Sequence, residues 1–485
     1  MLKLLKNTIV YGIGSVSTKF IGIILLPLLT KYLLPKDFGV IGILSMFSMF
    51  LNALMSLGFG TSLGIVFFEI DDKDKRKDVI LTAFWGLVFF NIILLTLFLP
   101  FSEHISEKLI GSVNYYNETI LTVISTTIMT CALPFMLNIQ FQERAKRYVA
   151  GNMMISFLSL IAYIIYVIVL KKGLIGYFYA FFTTQLFTLI IFLLLNDFQI
   201  SFKFKKNVFQ KLLKHGVPMI PSFFSLFVLA QSNRYILKLF SNIESVGIYT
   251  IGYNIGSVMQ LIINAFSSAW TPYFLSFINK QDEVSTHFGK ILRNYTIVFG
   301  FIVVCFFLFA KIIVMTFINK NYIESYKVIG FVTLSNFFIG LFNLFLPPMY
   351  FEKEVHFTSL IQIISSVLSI IFNVVLIYFF GFVGAAMALS LGYLTMSLLT
   401  YLFNRFVSKS RIKKYEIKEN IWKFVFIYSL FCLLSLINRD FTLLKELFFS
   451  GSIFALTLLS TYFLLSSNDK IMLREFISSM MLKRS

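Results

Sequence analysis

Leu212–Trp270 reads LLKHGVPMIPSFFSLFVLAQSNRYILKLFSNIESVGIYTIGYNIGSVMQLIINAFSSAW, and it restates the beginning of the chain. When Leu4-Leu5-Lys6 is laid on Leu212-Leu213-Lys214, Gly39-Val40-Ile41 falls without a gap on Gly247-Ile248-Tyr249. The offset of 208 residues therefore holds across a whole apolar segment and the turn after it. The shared pattern is a basic start, a long apolar run, a short polar turn, a glycine and a second apolar run. The same offset divides the hydropathy of the chain into two sets of six segments. An even-numbered repeat keeps its orientation in a membrane, which predicts two parallel halves enclosing a central path.

Composition agrees. Of 485 residues, 58% are hydrophobic and 13% charged, half the charge of a soluble globular sequence. The fold class expected is an all-α polytopic membrane protein. Runs of about 20 apolar residues are needed to cross the hydrocarbon, and they give about fourteen transmembrane helices. They start near Asn7, Phe38, Val79, Glu118, Val149 and Gly173, then Gly216, Val246, Ile291, Tyr326, Phe357 and Gly381, with two more from Ile421 and Leu447. This divides the chain into a six-helix bundle over residues 1–195, a cytoplasmic linker over 196–215, a second bundle over 216–404, and two extra helices with a tail over 405–485. The linker places Phe198, Phe202, Phe209, Leu212 and Leu213 among lysines, the pattern of an amphipathic interfacial helix or of a plain connection. Met1–Leu33 has no small-residue cleavage site and belongs to the repeat, so the first helix is expected to stay in the protein.

Lys and Arg set the orientation. With the N-terminus inside, the inner segments hold about 29 of the 42 basic residues and the outer ones about 10. Both termini are thus expected in the cytoplasm. The net charge of +19 is mostly topology. Nucleic-acid binding is excluded because the basic runs are divided among short loops rather than gathered on one element. Cys131, Cys305 and Cys432 each stand alone in an apolar run, the pattern of small core residues rather than of disulfides or a metal site.

Ionisable groups at membrane depth are costly and point to function. All 23 Asp and Glu fall in connections or at span ends, whereas Lys19, Arg234 and Lys311 lie within spans. Lys19 is 12 residues into the first span, about 18 Å along a helix. Around Arg234, Gln231 and Lys238 stand at i−3 and i+4, so one helical face is polar and must look at a partner helix or at water. Polar stripes run along other spans: Ser45, Ser48, Asn52 and Ser56; Asn152, Ser156, Ser159 and Tyr163; Tyr253, Ser257, Gln260, Asn264 and Ser267; Gln362, Ser366, Ser369 and Asn373. Each alone reads as interhelical hydrogen-bonding glue. Asn52 and Gln260, however, are matched by the repeat, which favours a shared cavity wall. No G-x-x-x-x-G-K-[ST] phosphate loop is present, and the four histidines lie in or beside connections.

The run Gly14-Ser-Val-Ser-Thr-Lys19-Phe-Ile-Gly-Ile-Ile-Leu-Leu-Pro27-Leu-Leu-Thr-Lys31-Tyr-Leu-Leu-Pro35-Lys-Asp37-Phe-Gly39 resembles the opening of polysaccharide-transporter flippases of the MOP superfamily. Gly216-Val-Pro218-Met-Ile-Pro221-Ser, Asn233-Arg234, Val246-Gly247-Ile-Tyr249 and Gln142-Glu143-Arg144-Ala-Lys-Arg147-Tyr are similar to later parts of the same family. The resemblance implies a MATE-like fold and a flippase that carries an undecaprenyl-pyrophosphate-linked oligosaccharide across the cytoplasmic membrane by alternating access. Such units serve O-antigen, capsule or exopolysaccharide synthesis. It assigns the deep basic position of the first span to Lys19 and the seventh-span arginine to Arg234. Many relatives carry Asp before that arginine, and here Asn233 takes its place, so carboxylate-based proton coupling is not carried over.

A pyrophosphate in a partly dehydrated path needs fixed cations, with Arg offering a bidentate fork and Lys a point charge. The expected substrate-binding set is Lys19, Arg234, Gln231, Lys238, Asn52, Gln260 and Asn264, with no catalytic residue and no metal. No cofactor is expected beyond a coupling proton or sodium ion. The partners expected are an anionic lipid-linked oligosaccharide, membrane lipids, and the polymerase and chain-length machinery. The competing readings are a multidrug-type cation antiporter of the same fold, which would bury an acid, and a membrane glycosyltransferase or polymerase, which would carry a large outer catalytic loop.

Overall fold

The computed structural model describes residues 22, 24–197, 201–278, 284–408, 415, 421–437, 441–465 and 470. The expected first span, and Lys19 with it, lie outside these apart from its helical end over residues 24–32. In the first half the helices are α1 (Pro35–Met55), α2 (Phe59–Phe68), α3 (Lys73–Phe98), α4 (Ser102–Ile110), α5 (Tyr116–Phe141), α6 (Ala145–Tyr163) and α7 (Gly173–Leu194). The linker forms α8 (Lys206–Gly216). The second half comprises α9 (Ile220–Phe240), α10 (Ile243–Gly256), α11 (Val258–Leu275), α12 (Val284–Phe317), α13 (Tyr326–Phe345), the short α14 (Pro347–Phe351) and α15 (His356–Phe406). After it come α16 (Trp422–Ser435) and α17 (Leu443–Leu464). No strand occurs among the described residues.

Among those residues, 11 helical segments are long and apolar enough to cross a membrane. One of them, α15, is two helices joined at Gly381, where φ is 55° and ψ −132°. At 14 residues α16 is shorter than a simple span. Each expected start from Phe38 to Leu447 falls in or beside a helix, while the full count of fourteen rests on the sequence.

The repeat is visible in how the halves touch. Near their starts α1 and α10 cross with their backbones in contact. A methyl group on Gly39 would lie 1.9 Å from the Ile243 carbonyl oxygen, and one on Gly247 1.9 Å from the Pro35 carbonyl oxygen. Positions 35 and 243, like 39 and 247, are 208 apart. One turn on, a methyl on Gly42 would meet the Thr250 hydroxyl at 2.4 Å, and this pair is again 208 apart. Residue i meeting j while the mate of j meets the mate of i is the signature of a two-fold contact. Small residues permit it because only they let helix backbones come so close.

Two further matches follow. Gly173 opens α7 with φ +58°, and Gly381 opens the second part of α15 with φ +55°, a left-handed backbone that an L side chain rarely adopts. At the other ends of the same helices, Asn196 donates to the Phe135 carbonyl at 3.3 Å and Asn404 to the Phe345 carbonyl at 2.6 Å. Each ties the sixth helix of its half to the fourth.

The linker helix bears on the two readings left open for it. The apolar face of α8 does not lie on lipid: Phe209 and Leu212 pack into the core of the first half against Phe59, with Phe59 and Phe209 ring centroids 6.1 Å apart. The strand-like approach at residues 201–205 alternates. Phe202 stacks edge-on to Trp85, while Lys203 and Lys205 reach the same Asp78 carboxylate at 3.0 and 2.6 Å. Nearby, Arg144 and Arg147 both pair with Asp197.

Candidate functional site between the halves

Arg234 sits on α9 and is 5% exposed. Its guanidinium donates to the Gln231 side-chain oxygen one turn earlier and lies 4.7 Å from the centre of the Tyr253 ring on α10. Guanidinium stacks on aromatic faces because its hydration is weak and the ring quadrupole is attractive. Beside it, Asn233 donates to the Tyr249 hydroxyl at 2.6 Å. Across the seam, Tyr177 on α7 of the first half lies within electrostatic reach of Arg234. The arginine is thus held by a polar neighbour and stacked on a tyrosine of its own half, with Tyr177 of the first half near enough to feel its charge.

Its hydrogen-bonding capacity is not used up. Among the described residues the Arg234 Nε and the Asn233 Oδ1 are buried without a hydrogen-bond partner. A buried donor left unmade costs about 1–3 kcal/mol, so such a group is poised for something that brings an acceptor. No carboxylate pairs with Arg234 among the described residues, whereas Lys311 is 3.5 Å from Glu446, Asp78 takes two lysines and Asp197 two arginines. The Arg147 and Arg144 guanidinia hold the Asp197 carboxyl below its ordinary range.

The other sequence candidates separate. Gln231 is buried beside Arg234. Lys238, half-buried, sends its ammonium to the first half: a methyl on Gly111, the residue that closes α4, would sit 3.6 Å from its Nζ. It thus reaches the carbonyl end of a helix, where a cation is favoured, and shares Arg234's helix face without sharing its surroundings. Asn52 on α1 and Gln260 on α11 are half-buried, and Asn264 is exposed. No hydrogen bond joins Asn52 or Asn264 to the Arg234 cluster among the described residues. Within the stripes, Ser48 pairs with the Thr126 hydroxyl at 2.7 Å and Ser267 accepts from Asn343 at 2.8 Å, which is interhelical glue.

Sequence reasoning missed the tyrosines as a group. Tyr163 and Tyr177 have ring centroids 4.9 Å apart, and Tyr249 and Tyr253 6.0 Å apart. Tyr163 and Tyr177 line a cavity of about 900 Å³ that opens between the halves. Asn254 and Ser257 complete its polar side. Leu25, Leu29, Phe38, Ile255, Leu261 and Ile313 make much of the rest.

Comparison with known proteins places these features. Residues 4–278, more than half of the chain, match the family described as polysaccharide biosynthesis protein. Protein 1 of the Lsg locus of Haemophilus influenzae is 22% identical over 313 residues, covering 60% of this chain and 70% of that protein. The lipid II flippase MurJ, in an inward closed conformation, superposes with a TM-score of 0.70 at 15% identity, over 97% of this chain and all of that one. An inward-facing multidrug resistance MATE transporter of the MOP superfamily gives 0.67 at 13% identity, over 83% and 96%. At these identities the likeness establishes the fold, that of MOP-superfamily transporters.

Proposed function

From the premise that the chain belongs to the polysaccharide biosynthesis protein family, we propose that it is a transporter rather than an enzyme, a flippase for lipid-linked oligosaccharide repeat units. The observation that carries the reading is Arg234: a buried cation at the seam between two repeat-related halves, without a carboxylate partner among the described residues. The pyrophosphate joining lipid to sugar is the ligand whose charge and oxygens suit it. Arg234 Nε offers a donor in a site where water is scarce and each charge-assisted bond counts for more, with Gln231 holding the guanidinium in place. Lys19 is proposed as the second cation.

In this reading the substrate is an undecaprenyl-pyrophosphate-linked unit, and the two halves rock about their seam to expose the site to one face and then the other. The chain works in a bacterial cytoplasmic membrane with both termini inside, beside polymerase and chain-length machinery, with a proton or sodium gradient as the driving partner. A multidrug cation antiporter of the same fold requires the opposite charge at its site. The buried acids Asp78 and Glu446 face lysines, and Glu118, whose Oε2 is buried without a hydrogen-bond partner among the described residues, sits in the first turn of α5 at the span end rather than at its middle.

The test is leaflet translocation in proteoliposomes with a fluorescent lipid-pyrophosphate oligosaccharide. Protein-dependent flipping, slowed on the order of a hundredfold by Arg234→Ala, supports the reading. Flipping of a cationic drug, with none of the lipid-linked glycan, refutes it.

A further inference from the structure

We propose that the cavity beside Arg234 is a binding site for the hydrocarbon chain of the lipid-linked substrate, so that tail and head are held together while the seam is closed. This deepens, and rests on, the flippase reading. A gap between the bundles would be enough for the tail to trail through the bilayer. The cavity argues otherwise. Its volume of about 900 Å³ is that of a ligand site rather than a packing defect. Its walls come from both halves: Leu25, Leu29 and Ile41 from the first, Val258, Leu261 and Ile313 from the second. Transfer of a chain into such walls is favourable by about 0.8 kcal/mol per CH₂ relative to water, although relative to lipid the gain is only in fit.

Fit is directed by what stands at one edge. Tyr177 and Asn254 line the cavity, and Asn254 adjoins Tyr253, the ring on which the Arg234 guanidinium rests. Hydrocarbon walls therefore run up to hydroxyl and amide groups and then to a buried cation. A chain ending in a pyrophosphate has this order of chemistry. A phospholipid has a glycerol ester zone between its chains and phosphate, which places two chains and two carbonyls where the cavity offers one apolar lobe and two tyrosines.

The experiment uses the full chain in nanodiscs with undecaprenyl pyrophosphate carrying a diazirine in its hydrocarbon chain, beside a diazirine-bearing phosphatidylglycerol. The expected result is photolabel on Leu25–Ile41 and Asn254–Leu261, displaced by unlabelled undecaprenyl pyrophosphate and not by phosphatidylglycerol. Leu29→Trp and Ile313→Trp, which fill the lobe, should each lower that label by about tenfold, the scale on which an apolar pocket responds to lost shape. Label confined to outward-facing residues such as Leu444 and Phe448, equal labelling of the cavity by phosphatidylglycerol, or Trp variants that label like wild type would each overturn the proposal. The wild-type map stands even if a Trp variant fails to fold. Wild-type protein that flips its substrate but takes no label in the cavity refutes the tail site alone. Protein that neither binds the polyprenyl probe nor flips it refutes the flippase reading beneath it.

Discussion

The α1–α10 crossing and the Arg234 cluster lie in the same seam but obey different rules. At the crossing, each half supplies a glycine to the backbone carbonyl of the matched position in the other: Gly39 meets Ile243 as Gly247 meets Pro35. At the cluster the repeat is broken, because the position 208 before Arg234 is Leu26, 7% exposed in an apolar setting, and the mate of Lys238 is Thr30, whose hydroxyl turns back to the Pro27 carbonyl at 3.0 Å. Symmetry is kept where backbones must touch and abandoned where a charge must stand. A contact on a two-fold axis is improved twice by one residue choice, whereas one anionic group needs its cations on the side where it enters.

The contrast is open to attack, beginning with the largest effect. Gly39→Ala and Gly247→Ala should each destabilise the protein by about 1–3 kcal/mol through overpacking, and by similar amounts, read as apparent Tm in detergent. If one is silent and the other severe, the crossing is not two-fold. Next, Asn404→Ala, which removes one helix-to-carbonyl bond, should cost about 1 kcal/mol, and Asn196→Ala should cost more, since it also removes the bond to the Phe192 carbonyl and the one from Asn138. A loss at Asn196 no larger than that at Asn404 would show that its bond from Asn138 at 2.6 Å adds nothing. Lys311→Met with Glu446→Leu, which replaces the buried pair by apolar groups, should leave Tm within about 1 kcal/mol of wild type, whereas Lys311→Met alone should lower it. A single variant as stable as the double would show that the pair is not what joins α12 to α17.

The smallest effect is expected at Asp197. Its carboxyl is held below the ordinary value of 3.8, first by Arg147 and then by Arg144, and it is half exposed, so the interaction is worth ~0.5 kcal/mol after screening. A depressed carboxyl contributes fully above its unfolded value and loses that contribution as pH falls through the folded one. Asp197→Asn should therefore lower Tm slightly at neutral pH, with the difference closing below 3.8. A difference that grows on acidification contradicts the assignment.

How much of this was legible in the sequence depends on the kind of signal. Span positions were, since length and hydropathy decide them, and so was the Gly39–Gly247 match, because glycine at a fixed offset survives where apolar identities drift. Gly173 and Gly381 were legible as span starts but not as matched left-handed turns. The docking of α8 was hidden: an amphipathic pattern is the same whether its apolar face meets lipid or α2 and α3. Tyr163 and Tyr253 were legible as members of polar stripes, but Tyr177 and Tyr249 were hidden, because 60 Phe and 23 Tyr leave little contrast by which to select them. Lys238 illustrates the limit of spacing. Its i+4 position put its Cα on the Arg234 face, yet the long stem carries the ammonium to Gly111.

The most direct test of the central claim, that the asymmetric cation carries transport while the symmetric seam carries the fold, is Arg234→Leu, which restores the residue type of its repeat mate. Tm and leaflet translocation of a lipid-pyrophosphate oligosaccharide are measured on the same preparation. The expected result is a folded protein with a Tm close to wild type, because removing a buried charge offsets the donor lost to Gln231, together with translocation reduced to the protein-free rate. A folded Arg234→Leu protein that flips at the wild-type rate would contradict the claim.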